Sequence, residues 1–294
     1  MPPTTRFAPS PTGKLHLGHA VSAIRAHDFA RNNAGRFLVR IEDIDPGRSR
    51  PEHVTTILTD LAWLGLSWDG PVLHQSTRLP AYAAALDQLR AAKLLYPCTC
   101  TRAEIAAEIA ASASAPHGPA AIYPGTCRRR APDPTRVAAW RLDMAAATSR
   151  AGPFDWHDAT AGTVRATPEH HGDVVLARRD APASYHLAVT LDDAHQGVTD
   201  IVRGVDLFEA THVHRLLQAL LGLPVPRYHH HPLMLGPDGR RLAKRDGAPA
   251  IADLRSAGQD GAALAAELRA AIALSAPAAT LCPLAPRPAG TISP

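Results

Sequence analysis

The stretch Arg6-Phe7-Ala8-Pro9-Ser10-Pro11-Thr12-Gly13-Lys14-Leu15-His16-Leu17-Gly18-His19 decides how the chain begins. Residues 4–9 read as a short strand ended by Pro9, and residues 10–19 as a loop rich in turn formers. A helix is expected over 18–33, stopped near Asn32-Asn33-Ala34-Gly35. Phe37-Leu38-Val39-Arg40-Ile41 is a largely apolar run of strand length. Strand, loop, helix and strand in that order make a βαβ unit with a parallel sheet, so the fold class is α/β.

Working outward, 49–66 reads as the next helix. Ser49 and Glu52 fit a capping box, Pro51 suits the first turn, and Val54, Ile57, Leu58, Leu61 and Leu64 share one face. A helix over 80–95 would turn Tyr82, Leu86 and Leu89 inward. The character changes at Tyr96. Residues 96–182 hold three cysteines, short strand-like pieces and many prolines and glycines, as an insertion of separate fold would. It splits a Rossmann-like domain into 1–95 and 183–236. In the second half, Tyr185–Leu191, Val198–Val202 and 228–235 carry strand character, and 206–222 is an amphipathic helix. Residues 237–294 are expected to form a loop and a short, mostly helical C-terminal part. The Ala- and Pro-rich end from Ser275 is expected to be mobile.

The chain has 294 residues, 46% of them hydrophobic and 20% charged, which excludes global disorder. No stretch approaches the ~20 apolar residues of a spanning helix, so no membrane partner is expected. The first residues lack an apolar signal core, which points to the cytoplasm. Net charge is +4, carried by arginine; Lys14, Lys93 and Lys244 are the only lysines. Arginine is the better fork for phosphate and carboxylate, and a mild positive excess is compatible with RNA.

His16-Leu17-Gly18-His19 stands where a helix begins, and there backbone N–H groups and the helix dipole favour anions. Gly18 would let a ligand approach the backbone, and the imidazoles can donate to a phosphoryl oxygen as charge develops on it. Further on, Gly239-Arg240-Arg241-Leu242-Ala243-Lys244-Arg245 offers a lysine in a Gly-containing basic loop, suited to polyphosphate. Cys98, Cys100 and Cys127 are three thiols with metal-ligand spacing, and ligand chemistry alone makes His117 the fourth donor. Cys282 reads as a plain thiol. Arg6 and Arg203 can face a substrate carboxylate, and Glu42 an ammonium, all at ends of expected strands. His229-His230-His231 alternate in direction along a strand and do not share a metal readily. Arg128-Arg129-Arg130 reads as a solvated run with a possible RNA phosphate contact.

Arg6–Gly13, His16–His19, Arg40-Ile41-Glu42-Asp43-Ile44-Asp45 and Arg241–Arg245 together resemble the glutamyl branch of class I aminoacyl-tRNA synthetases over residues 5–250. The two nucleotide motifs of that branch are HIGH and KMSKS. The first matches well; the second is degenerate, with Arg241, Ala243 and Arg245 at altered positions. Only 50 residues follow Lys244, too few for an anticodon-binding region. Within the branch the chain is therefore similar to the truncated glutamyl-queuosine tRNA(Asp) synthetase family. That resemblance implies activation of L-glutamate with ATP and Mg2+, then transfer to queuosine in the anticodon of tRNA(Asp). It implies glutamate binding by Arg6, Phe7, Ala8, Pro9, Ser10, Glu42, Tyr185 and Arg203. It gives ATP to His16, Gly18, His19 and Lys244, with His16, His19 and Lys244 catalytic. It assigns one structural Zn2+ to Cys98, Cys100, Tyr123 and Cys127, preferring Tyr123 to His117. Three other readings stay open: a truncated enzyme charging a tRNA 3′ end, a small-molecule nucleotidyltransferase, and an inactive zinc-bearing tRNA-binding paralogue.

Overall fold

The structure is a computed structural model and describes residues 1–111, 122–234 and 249–274. The chain opens with β1 (Thr4–Phe7), α1 (Leu17–Asn32), β2 (Arg36–Ile41), α2 (Pro51–Trp63), β3 (Leu73–His74), α3 (Leu79–Ala91) and β4 (Leu95–Cys98). α4 (Arg102–Ala111), β5 (Ala139–Leu142), α5 (Met144–Ala151), β6 (Asp155–Asp158), β7 (Gly162–Arg165) and β8 (Val175–Ala177) follow. The described part closes with α6 (Tyr185–His195), β9 (Asp200–Gly204), α7 (Ala210–Leu221), β10 (Arg227–His231), α8 (Ile251–Ser256) and α9 (Gly261–Leu274).

β1, β2 and β3 form a parallel sheet, with Thr5 opposite Phe37 and Arg40 opposite Leu73. A second sheet has the order β7-β6-β10-β9, parallel apart from β7. The two sheets meet where Thr199 N–H donates to the Thr4 carbonyl at 3.0 Å and Thr4 N–H to Thr199 Oγ1 at 2.9 Å. Chain order therefore reverses between β1 and β9. Such a switch leaves a crevice at the carboxyl ends of the strands, where α/β sheets bind ligands. One core lies between α1, α2 and the first sheet, around Ile24, Phe37, Val39, Ile57 and Leu61. α9 closes it, anchored by Arg269 to Asp28 at 2.7 Å, and α8 by Arg255 to Asp60 at 3.1 Å.

The segment 96–182 divides between two sheets. β4, which begins at Leu95, pairs antiparallel with β5, and β5 with β8, in a small sheet that carries the cysteines. β6 and β7 instead extend the sheet of β9 and β10. Leu142, Met144 and Leu176 also share a core with Tyr82, Leu86, Leu89, Leu187 and Leu217.

Two local expectations are corrected. Residues 185–191 are helix, not strand. Ser184 caps α6 by accepting from Leu187 N–H at 3.5 Å, and Leu187, Ala188 and Leu191 then turn one stripe into the core. Tertiary burial of that stripe outweighs the β-branched composition. The Ser49–Glu52 capping box does not form. Pro51 takes the first helical position, which makes Arg50 the cap, and no side chain caps this end. Ser49 lies in the preceding turn, its N–H on the Asp45 carbonyl, and its hydroxyl is buried with no partner.

Candidate active site

A cleft of about 500 Å³ opens at the switch point between β1 and β9. It gathers Arg6, Phe7, Ala8, Pro9, Ser10, Glu42, Tyr185 and Arg203 together with His16, Gly18 and His19. Every expected substrate and nucleotide residue that lies in the described chain therefore faces one space. Lys244, Arg241, Leu242, Ala243 and Arg245 lie outside the described residues, as do His117 and Cys282. The start of α8 packs beside the first motif: Ala250 bridges to His16, and Ile251 N–H donates to the Leu15 carbonyl at 2.8 Å. Lys14 and Asp206 line the rim and are exposed; Lys14 reaches Asp253 of α8 at 2.5 Å.

The first motif is a reciprocal cap. His16 Nδ1 accepts from Gly18 N–H at 3.1 Å, and His19 Nδ1 accepts from His16 N–H at 3.2 Å. With both Nδ1 atoms used as acceptors, each neutral ring carries its proton on Nε2. The rings stack at 3.7 Å. Gly18 also has a reason the sequence does not reveal: a Cβ there would come within 3.1 Å of the His16 ring and disturb the cap. The first turn of α1 holds no acid, so the positive end of the helix dipole is uncompensated.

The floor of the cleft is an ion network. Arg6 is buried and forks onto Asp193 of α6, at 2.9 Å through Nε and 3.5 Å through Nη2. Arg40, fully buried, donates to Asp193 at 2.8 Å, to Gln196 at 3.0 Å and to Glu42 at 3.5 Å. Burial opposes the Asp193 charge, yet Arg6 and Arg40 outweigh it and hold the carboxyl below its usual range. Glu42 goes the other way. Its side chain is 10% exposed, and burial raises it to about 7 against the pull of Arg40 and Arg6. Glu42 N–H also donates to the Pro9 carbonyl at 3.0 Å, tying the ends of β1 and β2 together.

Arg203 is buried too, but its partners are neutral. Nε donates to His230 Nε2 at 3.1 Å, Nη1 to His214 Nδ1 at 3.4 Å, and Nη2 to Thr211 Oγ1 at 2.6 Å and the Leu207 carbonyl at 3.1 Å. Among the described residues no carboxylate pairs with it. Sequence reasoning missed Asp193, His214 and Asp158, and took His230 only as one of three histidines alternating along a strand. Reading α6 as a strand hid Asp193, although Ser184 was an available capping signal.

The cysteines also come together. The Sγ atoms of Cys98, Cys100 and Cys127 all lie within 4.8 Å of one another. The Tyr123 hydroxyl lies 3.5 Å from Cys98 Sγ and 3.7 Å from Cys100 Sγ, and accepts from Cys127 N–H at 2.9 Å. Burial raises the Cys127 thiol, but hydrogen bonds from Tyr123 and Cys100 outweigh it and bring it to about 7; burial lifts Cys100 to about 11. Arg179 holds the backbone of the knuckle through the Cys100 carbonyl at 2.6 Å. Three soft donors this close fit a thiophilic metal. His229, His230 and His231 do not converge: they bond to Asp200, Asp158 and the Pro232 carbonyl respectively. Arg128, Arg129 and Arg130 are all exposed, and Arg128 is tied to Asp173.

The catalytic-domain family of class I tRNA synthetases for E and Q matches residues 4–272. A Glutamyl-Q tRNA(Asp) synthetase of Rhodobacter capsulatus is 54% identical over 270 residues, covering 86% of this chain and 95% of its own. The chain belongs to the glutamyl-Q tRNA(Asp) synthetase family. A member from Deinococcus radiodurans is 46% identical over 269 residues, covering 90% of this chain and 87% of its own. Members are ligases of the class I synthetase type, and this chain is one of them. A crystal structure of a glutamate tRNA ligase from Elizabethkingia meningosepticum, in complex with its amino acid, superposes with a TM-score of 0.70 at 28% identity. The match covers 84% of this chain and 53% of the ligase, so this member of the glutamyl-Q family spans about half of that longer protein. Among the described residues no helix is long and apolar enough to cross a membrane.

Proposed function

We propose that this chain activates L-glutamate with ATP to glutamyl-adenylate and transfers the glutamyl group to queuosine in the anticodon of tRNA(Asp). The observation that carries the amino-acid choice is Arg203, a buried guanidinium with only neutral partners. A buried cation is costly unless an anion meets it, so the cleft favours a ligand carboxylate at that point. The buried floor supports the same choice. The buried residues around the cleft include three guanidiniums, Arg6, Arg40 and Arg203, against the two carboxylates of Asp193 and Glu42, which pair with Arg6 and Arg40 only. One positive charge is left over when Glu42 is ionised, and glutamate is a net monoanion. Glu42 takes the ammonium, and Arg203 with Arg6 and Tyr185 takes the side-chain carboxylate. Phe7, Ala8, Pro9 and Ser10 supply the wall from β1 onward.

In the first step a glutamate α-carboxylate oxygen attacks the α-phosphorus of ATP and the bond to pyrophosphate breaks. The Nε2–H groups of His16 and His19 and the N-terminus of α1 offer donors to the charge that develops on the phosphoryl oxygens. Gly18 keeps that cap in shape. Lys244, which lies outside the described residues, is the further cation assigned to the phosphates. Magnesium, arriving with ATP, supplies charge neutralisation on the phosphates. In the second step a hydroxyl of the queuosine ring attacks the adenylate carbonyl and AMP leaves. The names of the relatives support this acceptor. Cys98, Cys100 and Cys127 with Tyr123 would hold one Zn2+, whose part is to brace the knuckle rather than to react. A cytoplasmic location fits a tRNA substrate.

The test is glutamate-dependent ATP–pyrophosphate exchange without RNA, followed by transfer to an anticodon stem-loop of tRNA(Asp) with and without queuosine. Exchange without RNA and transfer to the queuosine stem-loop alone are expected. Transfer to full-length tRNA(Glu), lost when its 3′-terminal adenosine is removed, would replace this acceptor with 3′-end charging. Lys244→Ala is expected to slow exchange by about 10²-fold with glutamate binding little changed, because it removes charge stabilisation made in the transition state.

A further inference from the structure

Two chains of hydrogen bonds end on Arg203, and both have a forced direction. An arginine donates and cannot accept. His230 Nε2 and His214 Nδ1, each facing an Arg203 nitrogen, must therefore present lone pairs. The His230 proton is then on Nδ1, which donates to Asp158 Oδ2 at 2.8 Å, with both side chains fully buried. The His214 proton is on Nε2, which donates to His186 Nδ1 at 3.1 Å. Asp158 is further satisfied by the N–H groups of Thr160 and Ala161 at 2.9 Å and of His230 at 3.2 Å. The carboxylate thus stands behind the His230 ring instead of on the guanidinium.

The surroundings keep these rings uncharged. His230 lies parallel to Tyr228, and Arg203 lies over the same ring at 5.4 Å. Burial pushes His214 well below the usual imidazole range, brings His186 to about 4 and lowers His230. Four of the five Arg203 N–H groups are spoken for by His230, His214, Thr211 and Leu207. One Nη1–H remains, backed by the whole positive charge.

We infer that His214 and His230 are positioning residues for substrate choice: their neutral lone pairs fix the Arg203 guanidinium while leaving its charge uncompensated. The cleft thereby selects an amino acid whose side chain ends in a carboxylate over the corresponding amide. Direct pairing with an acid, as Arg6 has in Asp193, would hold the guanidinium equally well and discard the selection. The amide would then cost less to bind and the carboxylate would gain less. This inference rests on the proposed contact between Arg203 and the substrate carboxylate.

The test exploits shape. The Oδ1 atom of Asn or Asp falls near the position of His Nδ1, so His214→Asn and His214→Asp remove the same ring and differ in charge. Steady-state pyrophosphate exchange is measured with glutamate and with glutamine, alongside thermal melting and the KM for ATP. His214→Asn is expected to raise the glutamate KM a few-fold. His214→Asp is expected to raise it by about a further 10²-fold and to reduce the glutamate-over-glutamine ratio by a similar factor. The ATP KM should be unmoved in both. His230→Gln, which can place an amide oxygen near the position of Nε2, should behave like His214→Asn. Equal glutamate KM values in folded Asn and Asp variants would overturn the inference. Arg203→Ala separates this from the parent reading. If it leaves the glutamate KM unchanged, the carboxylate contact itself is wrong. If it raises that KM while the two His214 variants agree, only the role of the histidines is wrong.

Discussion

Arg6 and Arg203 lie in the same cleft, at the carboxyl ends of β1 and β9, and are buried to nearly the same degree. Their electrostatic situations are opposite. Arg6 forks onto Asp193, so its charge is largely spent within the protein. Arg203 touches two imidazoles, a hydroxyl and a carbonyl. Burial alone does not tell how much of an arginine's charge is left for a ligand; the charge of its partners does. A fold tolerates an uncompensated buried cation where something outside the chain completes it.

The comparison breaks if the two arginines respond alike to removal. Arg203→Ala is expected to lower kcat/KM for glutamate by about 10³-fold, since roughly 3–5 kcal/mol goes with the partner of a buried charge. The melting temperature should fall little, because no carboxylate is orphaned. Arg6→Ala should lose activity as well, but with a clear stability cost. Asp193 keeps Arg40 yet loses one of its two guanidiniums, at about 2 kcal/mol, or roughly 5 °C in a chain of this length. Kinetics with glutamate and scanning calorimetry on both variants decide it. A large melting loss in Arg203→Ala with unchanged kinetics would reverse the assignment.

How much of this was legible in the sequence follows from the same pair. The strand ends, the His16–His19 motif and the three cysteines are local or carry a motif; the structure brings the first two to one cleft and gathers the cysteines in a separate knuckle. The partners that give each arginine its character lie far off in the chain, as Asp193 does from Arg6 and His230 from Arg203. No periodicity links them. The helical α6 compounds this: its β-branched run masks a helix that only the Ser184 cap and the core stripe specify. Asp158 was harder still, because the segment around it read as part of a separate insertion, whereas β6 joins the sheet of β9 and β10.

Glu42 sharpens the comparison by changing one member of the floor with pH. Burial lifts its carboxyl to about 7 in the free protein. Binding an ammonium demands the ionised form, so the substrate favours loss of the proton. As pH falls through 7 the protonated share grows and must be ionised on binding. The glutamate KM is therefore expected to rise towards tenfold per unit below about pH 6.5 and to level off above about 7.5. Glu42→Gln should raise the KM and flatten that profile. A flat wild-type profile between pH 5.5 and 7.5 would remove Glu42 from the ammonium.

The smallest effect is expected outside the cleft, at the cysteine knuckle. Tyr96, Cys98, Tyr123 and Cys127 form a small cluster of their own, apart from the cores that hold the cleft. Three thiols at this spacing should carry close to one zinc per chain, and the metal then contributes to local folding rather than to chemistry. Cys127→Ser should lose the metal and raise protease sensitivity within 96–142, while glutamate-dependent pyrophosphate exchange stays within about threefold of the parent. Tyr123→Phe tests the fourth donor: if the hydroxyl is a ligand, zinc affinity should drop while the aromatic packing, including Arg141 at 3.8 Å over the ring, is kept. His117→Ala is the matched control and should leave the affinity unchanged. Metal content measured on both variants discriminates the donors, and zinc retained at one per chain in a Cys98/Cys127 double variant would show that the knuckle is a cluster of reduced thiols.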